Sequence, residues 1–236
     1  MSTTYSPPPS PPSLPTPRRR TGLAAAGTVT TALGGIAAAA ATAVIVAFGA
    51  NGTLDSGAHR VFTPTAALVT DVAAMEDING IAAITGSPTL RMSATSTGPA
   101  GVFIGVGPAD AVAEYLSGVA IDRVTDFSVD PFRFSVTPEP GATAASPPDE
   151  QDFWVASATS RSIADLDWPV EDGEYRLVVM NADGAPELTS TAQVQLELPN
   201  AFPISLAVLT GSGILTAAGV ALLVMAVSRG RWRASV

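Results

Sequence analysis

Residues 192–227 read AQVQLELPNAFPISLAVLTGSGILTAAGVALLVMAV, and the hydrophobic period changes within them. Ala192, Val194, Leu196 and Leu198 alternate with Gln193, Gln195 and Glu197. A two-residue period marks a strand with one face in a core and the other in water. Past Asn200 the alternation stops. Phe202 to Val227 then holds twelve Leu, Ile, Val or Phe residues and no charge. About 20 such residues cross a bilayer as a helix. Pro203 suits a first helical turn, where its missing N–H costs nothing. Arg229, Arg231, Trp232 and Arg233 follow, with arginines for a cytoplasmic stop and a Trp for the headgroup layer. A strand that feeds directly into a span points to a β-rich domain held at a membrane.

A second uncharged stretch stands before that domain. Gly22 to Ala50, GLAAAGTVTTALGGIAAAAATAVIVAFGA, runs for 29 residues with only eight Leu, Ile, Val or Phe. A cleaved secretory signal is the rival reading, with Arg18–Arg20 as its basic region and Ala47–Ala50 as its small-residue cleavage site. Signal cores run about 7–15 residues, however, and this run is far longer, so an uncleaved anchor is expected. Thr21, Gly22 and Leu23 fit a twin-arginine signal poorly. Small residues recur at every fourth position in Gly27, Thr31, Gly35, Ala39, Ala43 and Ala47, and again in Gly213, Ala217 and Ala221. Smooth stripes of this kind suit close helix packing.

Charge sets the orientation. All 21 Asp and Glu residues lie between Asn51 and Asn200, against six arginines there, which leaves that stretch at −15. The other six arginines flank the two spans, and the whole chain carries −9. Arginine close to a span marks the cytoplasmic side. Both termini are therefore expected in the cytoplasm and the acidic stretch outside. The expected organisation is a disordered Pro-rich tail (1–21), a first transmembrane helix (22–50), the extracytoplasmic domain (51–200), a second transmembrane helix (201–228) and a short basic tail (229–236). Seven prolines between Ser2 and Pro17 give the first tail polyproline II character. It is a solvated tail, or a docking peptide for a proline-reading groove. Two spans account for the 47% hydrophobic content. A domain at −15 repels nucleic-acid phosphates, so no nucleic-acid partner is expected. With no cysteine there is no disulfide framework, thiolate zinc site or Cys nucleophile. The chain also lacks lysine, and with its excess of Ala, Gly and Pro this suggests a GC-rich coding genome.

The domain itself reads as mainly β: a β-sandwich-like or open-barrel unit with one short α-helix. Runs at Val61–Val69, Thr89–Thr95, Val102–Val106, Phe153–Ser157 and Tyr175–Met180 have strand composition between turn residues. Phe132, Phe134 and Val136 alternate with Arg133 and Ser135. Asn181-Ala182-Asp183-Gly184 reads as a turn. The helix is expected to begin with Pro108 in its first turn and to bury Val112, Tyr115, Leu116 and Val119. Thr137 to Gln151 reads as a mobile, Pro-rich loop.

Several residues invite a chemical reading, and for each the structural one is stronger. Gly105, Gly107 and Asp110 lie between a strand and a helix, where phosphate cradles occur. A third glycine is missing, Pro108 removes a donor, and Asp110 repels phosphate. Asp165, Asp167, Glu171, Asp172 and Glu174 could supply oxygen ligands to Ca²⁺, but their spacing matches no calcium loop, so a solvated acidic face is expected. Trp154 and Trp168 are platforms for wall glycan or, more simply, core aromatics. His59 is the single histidine, and without a second His or Cys it seeds no zinc set. Gly211-Ser212-Gly213 lies inside a span and is no nucleophile elbow. No catalytic, cofactor-binding or metal residue is assigned.

The blocks GVFIGVGPADAVAEYLSGVAIDRVTDF, QDFWVASATS and LDWPVEDGEYRLVVMNADGAPE, with the opening AHRVFTPTAALVTD and the two spans, resemble a family of two-span membrane proteins of unknown function from high-GC Gram-positive bacteria. The resemblance covers most of the chain. It implies an envelope protein with one external β-rich domain, and it implies no activity. Family members often carry Ser after the Asn-Ala-Asp-Gly turn, where this chain has Ala185. The expected function is that of a binding or accessory module, its partners the lipid bilayer and other membrane or cell-wall components. The alternatives are a hydrolase using carboxylates such as Asp165 and Glu171, or a calcium-dependent module.

Overall fold

A computed structural model describes residues 20–129 and 132–231 of the chain. The Pro-rich tail through Arg19, and Trp232 and Arg233, lie outside the described residues. The chain divides into two compact units, residues 1–40 with 208–236, and residues 41–207.

In chain order the elements begin with α1 (Arg20–Phe48), β1 (Thr53–Asp55), β2 (His59–Thr63), β3 (Ala67–Thr70), β4 (Ala73–Met75), α2 (Ile78–Thr85), β5 (Thr89–Ser96) and β6 (Val102–Pro108). They continue with α3 (Ala109–Tyr115), β7 (Ile121–Val129), β8 (Phe132–Glu139), β9 (Ala156–Ser160), β10 (Ile163–Pro169), β11 (Gly173–Asn181), β12 (Leu188–Glu197) and α4 (Ala201–Arg231).

The first unit is a pair of helices. Within α1 and α4, Ala25–Phe48 and Ala201–Met225 are long and apolar enough to cross a membrane. Their large apolar side chains, among them Val29, Leu33, Ile36, Ile214 and Val224, are exposed. Small residues hold the pair together. A Cβ at Gly34 would collide with Thr216 and the Ser212 carbonyl; one at Gly219 would collide with Thr31 and the Gly27 carbonyl. The close-packed positions step by seven residues, Gly27 and Gly34 against Gly219 and Ser212, in antiparallel register. The stripes expected at four-residue steps hold only in part: Gly27 and Thr31 lie in the seam, but Gly35 and Gly213 meet nothing within 4 Å. The reason is rotational. At 3.6 residues per turn a four-residue step drifts by about 40°, whereas a seven-residue step drifts by only about 20° and keeps one face. Hydroxyls in these helices are satisfied locally, Thr30 on the Ala26 carbonyl and Thr31 on the Gly27 carbonyl.

The second unit is mainly β. Among the described residues its strands form two sheets. In the first, β12 pairs with β5 and β5 with β10, while β1 and β2 share the other flank of β12. All its pairings are antiparallel. The second runs β8-β7-β3-β11-β6-β9, with β4 sharing the flank of β11 that β3 occupies. Only β3 and β7 pair in parallel. Because split strands share one flank, the first sheet is four strand positions wide and the second six.

Burial follows the sequence period closely in β10 and β6, whereas in β12 residues 191–197 are half-buried on both faces. In β10 Ala164, Leu166 and Trp168 are buried while Ile163, Asp165, Asp167 and Pro169 are exposed. In β6 every residue from Val102 to Gly107 is buried, as an unbroken apolar run requires when both faces are covered. One core cluster joins Met92, Ala94, Leu166, Trp168 and Leu188 of the first sheet to Val102, Ile104, Val106 and Val179 of the second. A second cluster packs Val112 and Leu116 of α3 and its following turn against Val69, Phe103, Ile121, Val178 and Met180.

Several local expectations are revised. The run Val61–Val69 is two strands in different sheets, broken at Pro64, which has no N–H to give to a ladder. Pro108 precedes the first residue of α3 instead of opening it. Phe153 and Trp154 precede β9, which starts at Ala156. The 137–151 stretch is tied down: the Ala142 N–H donates to Gly118, the Ala145 N–H to Gly184, and Pro148 is fully buried. The Asn181–Gly184 turn forms as expected, with the Gly184 N–H on the Asn181 carbonyl at 3.0 Å and φ of +71° at Gly184.

Candidate functional site

The residues singled out in the sequence do not converge. Gly105 and Gly107 admit aromatic rings instead of phosphate. A Cβ at Gly105 would strike Phe103 and Trp154, and one at Gly107 would press on Val112 and Phe153. Trp154 donates from Nε1 to the Pro148 carbonyl at 2.8 Å and packs on Phe103 and Phe153. Trp168 is 4% exposed and stands edge-on to Tyr175 at 4.8 Å. Neither indole is an open platform. Tyr115 donates to the Ser146 carbonyl at 2.6 Å, and burial pushes its phenol up to about 12. His59 closes the turn between β1 and β2, its Nε2 lying 2.6 Å from the Ser56 carbonyl.

The acidic group is likewise divided. Asp165 and Asp167 are the outward half of β10. Asp167 pairs with Arg91 at 3.2 Å, and Arg91 also reaches Glu197 at 3.0 Å. Asp172 accepts the Ile78 N–H and the Asn79 amide, both at 2.7 Å, and so caps α2. Glu171 and Glu174 are exposed. Among the described residues no three His, Asp or Glu side chains gather where a metal ion would sit. On the same outer face, Asp55 accepts from the Gln193 and Gln195 amides and the Gly57 N–H. These bonds, Gln193 first, hold its carboxyl below the ordinary 3.8.

What the fold does assemble is an apolar cleft of about 400 Å³ between the two sheets. Its walls are Val61, Leu90, Met92 and Val194 from the first sheet, and Leu68, Met75, Leu177, Val179, Val124 and Phe134 from the second. The unequal widths explain the opening. β7 and β8 lie beyond β3 in the wider sheet, so the apolar side chains they present find no complete cover. The volume falls within the roughly 300–1,000 Å³ of small-ligand sites.

Most polar groups on the lining are already engaged. Ser56 Oγ donates to the Gly57 carbonyl at 2.9 Å and accepts the Val194 N–H at 3.0 Å. Thr70 Oγ1 accepts the Leu177 N–H at 3.0 Å. Asp71 accepts the Val72 N–H at 2.9 Å and faces Arg123 at 3.7 Å. Asp126 is exposed and lines the same cleft. The chemistry such walls supply is burial, about 0.8 kcal/mol for each methylene taken out of water. The alternation at Phe132, Phe134 and Val136 announced an apolar face on β8. It carried no information on how far the opposite sheet extends.

No family model and no curated protein sequence matches the chain. Among solved structures, the D1-D2-D3 domains of the flagellar cap protein FliD from Escherichia coli align over 87% of this chain and 74% of that one, at 9% identity and a TM-score of 0.21. A likeness at that level carries no argument about fold or function.

Proposed function

We propose that this is an envelope protein anchored by both long helices, with its termini in the cytoplasm and residues 51–200 outside as a β-sandwich. It works as a binding or accessory module, in keeping with the resemblance to the two-span family, and the inter-sheet cleft is its binding site. The cleft is the observation that carries the reading, because it is a preformed apolar concavity in which Ser56, Thr70 and Asp71 are already partnered. Arginines flanking both spans and an exclusively acidic load between them support the orientation. A core shared by the two sheets supports the sandwich. Asp167 is held by Arg91 and Asp172 is occupied at α2, and among the described residues no three His, Asp or Glu side chains gather as a calcium reading requires.

The natural absence of cysteine makes the test clean. Single cysteines at Ser13, Ser146 and Ser235 are each exposed to a membrane-impermeant maleimide on intact cells. The expected result is labelling at Ser146 alone, on a full-length chain. Labelling at Ser13 or Ser235 would reverse the orientation, and a shortened chain would turn the first span into a cleaved signal.

A further inference from the structure

We propose that the cleft takes up the hydrocarbon chain of a membrane lipid whose head carries an amine, an inference that rests on the membrane-anchored reading above. The walls decide the first part. Eleven of the lining side chains are aliphatic, aromatic or thioether, and Ser56, Thr70 and Asp71 are engaged with the protein's own backbone. An occupant therefore finds no hydrogen-bond partner in depth. A peptide would bring N–H and C=O groups that such walls leave unsatisfied, at a cost for each. An alkyl chain brings none.

The rim decides the second part. Asp71 and Asp126 stand on the lining; Asp71 faces Arg123 at 3.7 Å, and among the described residues Asp126 is in no salt bridge. Carboxylates there repel a phosphate-only head and attract an amine.

The chain path supplies the source. Ser56 lies eight residues beyond the end of α1, and Val194 lies seven residues before the start of α4. Val194 to Glu197 is three strand residues, about 10 Å. Two residues of the lining, Ser56 and Val194, thus lie within eight residues of a long helix, and this short connection tethers the domain to the bilayer that would supply the lipid.

The test uses the full chain in bilayer nanodiscs of phosphatidylethanolamine bearing a diazirine on one acyl chain. Light-induced adducts are mapped by mass spectrometry. Adducts are expected on α1 and α4, and also on Val124, Phe134 or Met92. Thr125→Trp places an indole at the exposed mouth, and Val124→Trp fills the wall from inside; each is expected to abolish the cleft adducts while the helix adducts persist. Thr125→Trp keeps the test decisive if the buried variant fails to fold. Adducts on α1 and α4 alone would overturn the lipid proposal and leave the anchoring intact. Cleft adducts without helix adducts would instead remove the membrane reading. Equal cleft labelling by a phosphatidylglycerol probe would overturn the preference for an amine. Protection of β2 and β8 amides from hydrogen exchange by an added apolar peptide, with the cleft free of lipid adducts, would replace the lipid by a strand.

Discussion

Thr63 shows how much one side chain carries here. It is fully buried where the chain leaves the first sheet for the second. Its Oγ1 donates to Asp122 Oδ2 at 2.7 Å and accepts the Thr65 N–H at 3.1 Å. Asp122 is itself only 6% exposed, so this hydroxyl answers a carboxylate that has little water. Thr63→Val keeps the shape and removes the donor. It is expected to cost about 1.5–3 kcal/mol, the range for a hydrogen bond to a charged group. Urea unfolding should show a lower midpoint with an unchanged slope, while Thr63→Ser, which keeps the donor, should lose less. In the sequence Asp122 is one acid among 21. Its partner stands 59 positions away, and no local pattern marks the pair.

Among the elements, the two long helices give the sharpest contrast. Gly34 and Gly35 are neighbours in sequence, yet a Cβ at Gly34 collides with α4 and one at Gly35 meets open space. Cysteines at Thr31 and Thr216 should be joined within one chain by a short bifunctional maleimide. Gly34→Leu is expected to suppress that cross-link severalfold, and Gly35→Leu to leave it unchanged. Equal effects would mean the seven-residue seam is wrong. In α2 the reason for a missed element is plain. Its sequence, Ile78-Asn79-Gly80 onward, is a poor helix start, and Asp172, 94 residues later, caps Ile78. In β10 Asp165 and Asp167 form the outward face of a strand and not a cluster. Their alternation with Ala164, Leu166 and Trp168 is the strand signal.

For the whole molecule the dominant quantity is the −15 carried by residues 51–200, and acid acts on it in two directions. Protonation relieves self-repulsion, but it also removes carboxylates that the fold uses. Glu139 is gripped by Arg123 at 2.6 Å, which holds its carboxyl below the ordinary 4.5; Asp55 is held below 3.8. A carboxylate lowered on folding contributes stability above its unfolded pKa and loses it as pH falls through the folded value. The melting temperature is therefore expected to drop as pH falls below about 4.5, and to drop less in Glu139→Gln. Both groups are well exposed, so salt should shrink the difference. The sequence by itself determined the two apolar helices, the concentration of acid between them and the β character of the domain. Each follows from hydrophobic period or charge count over neighbouring residues. Which glycines face a partner helix, which acids are paired, and that one sheet outruns the other to leave an apolar cleft were decided only by tertiary structure. Those depend on contacts between segments tens of residues apart, and a local period specifies which face is apolar without specifying what covers it.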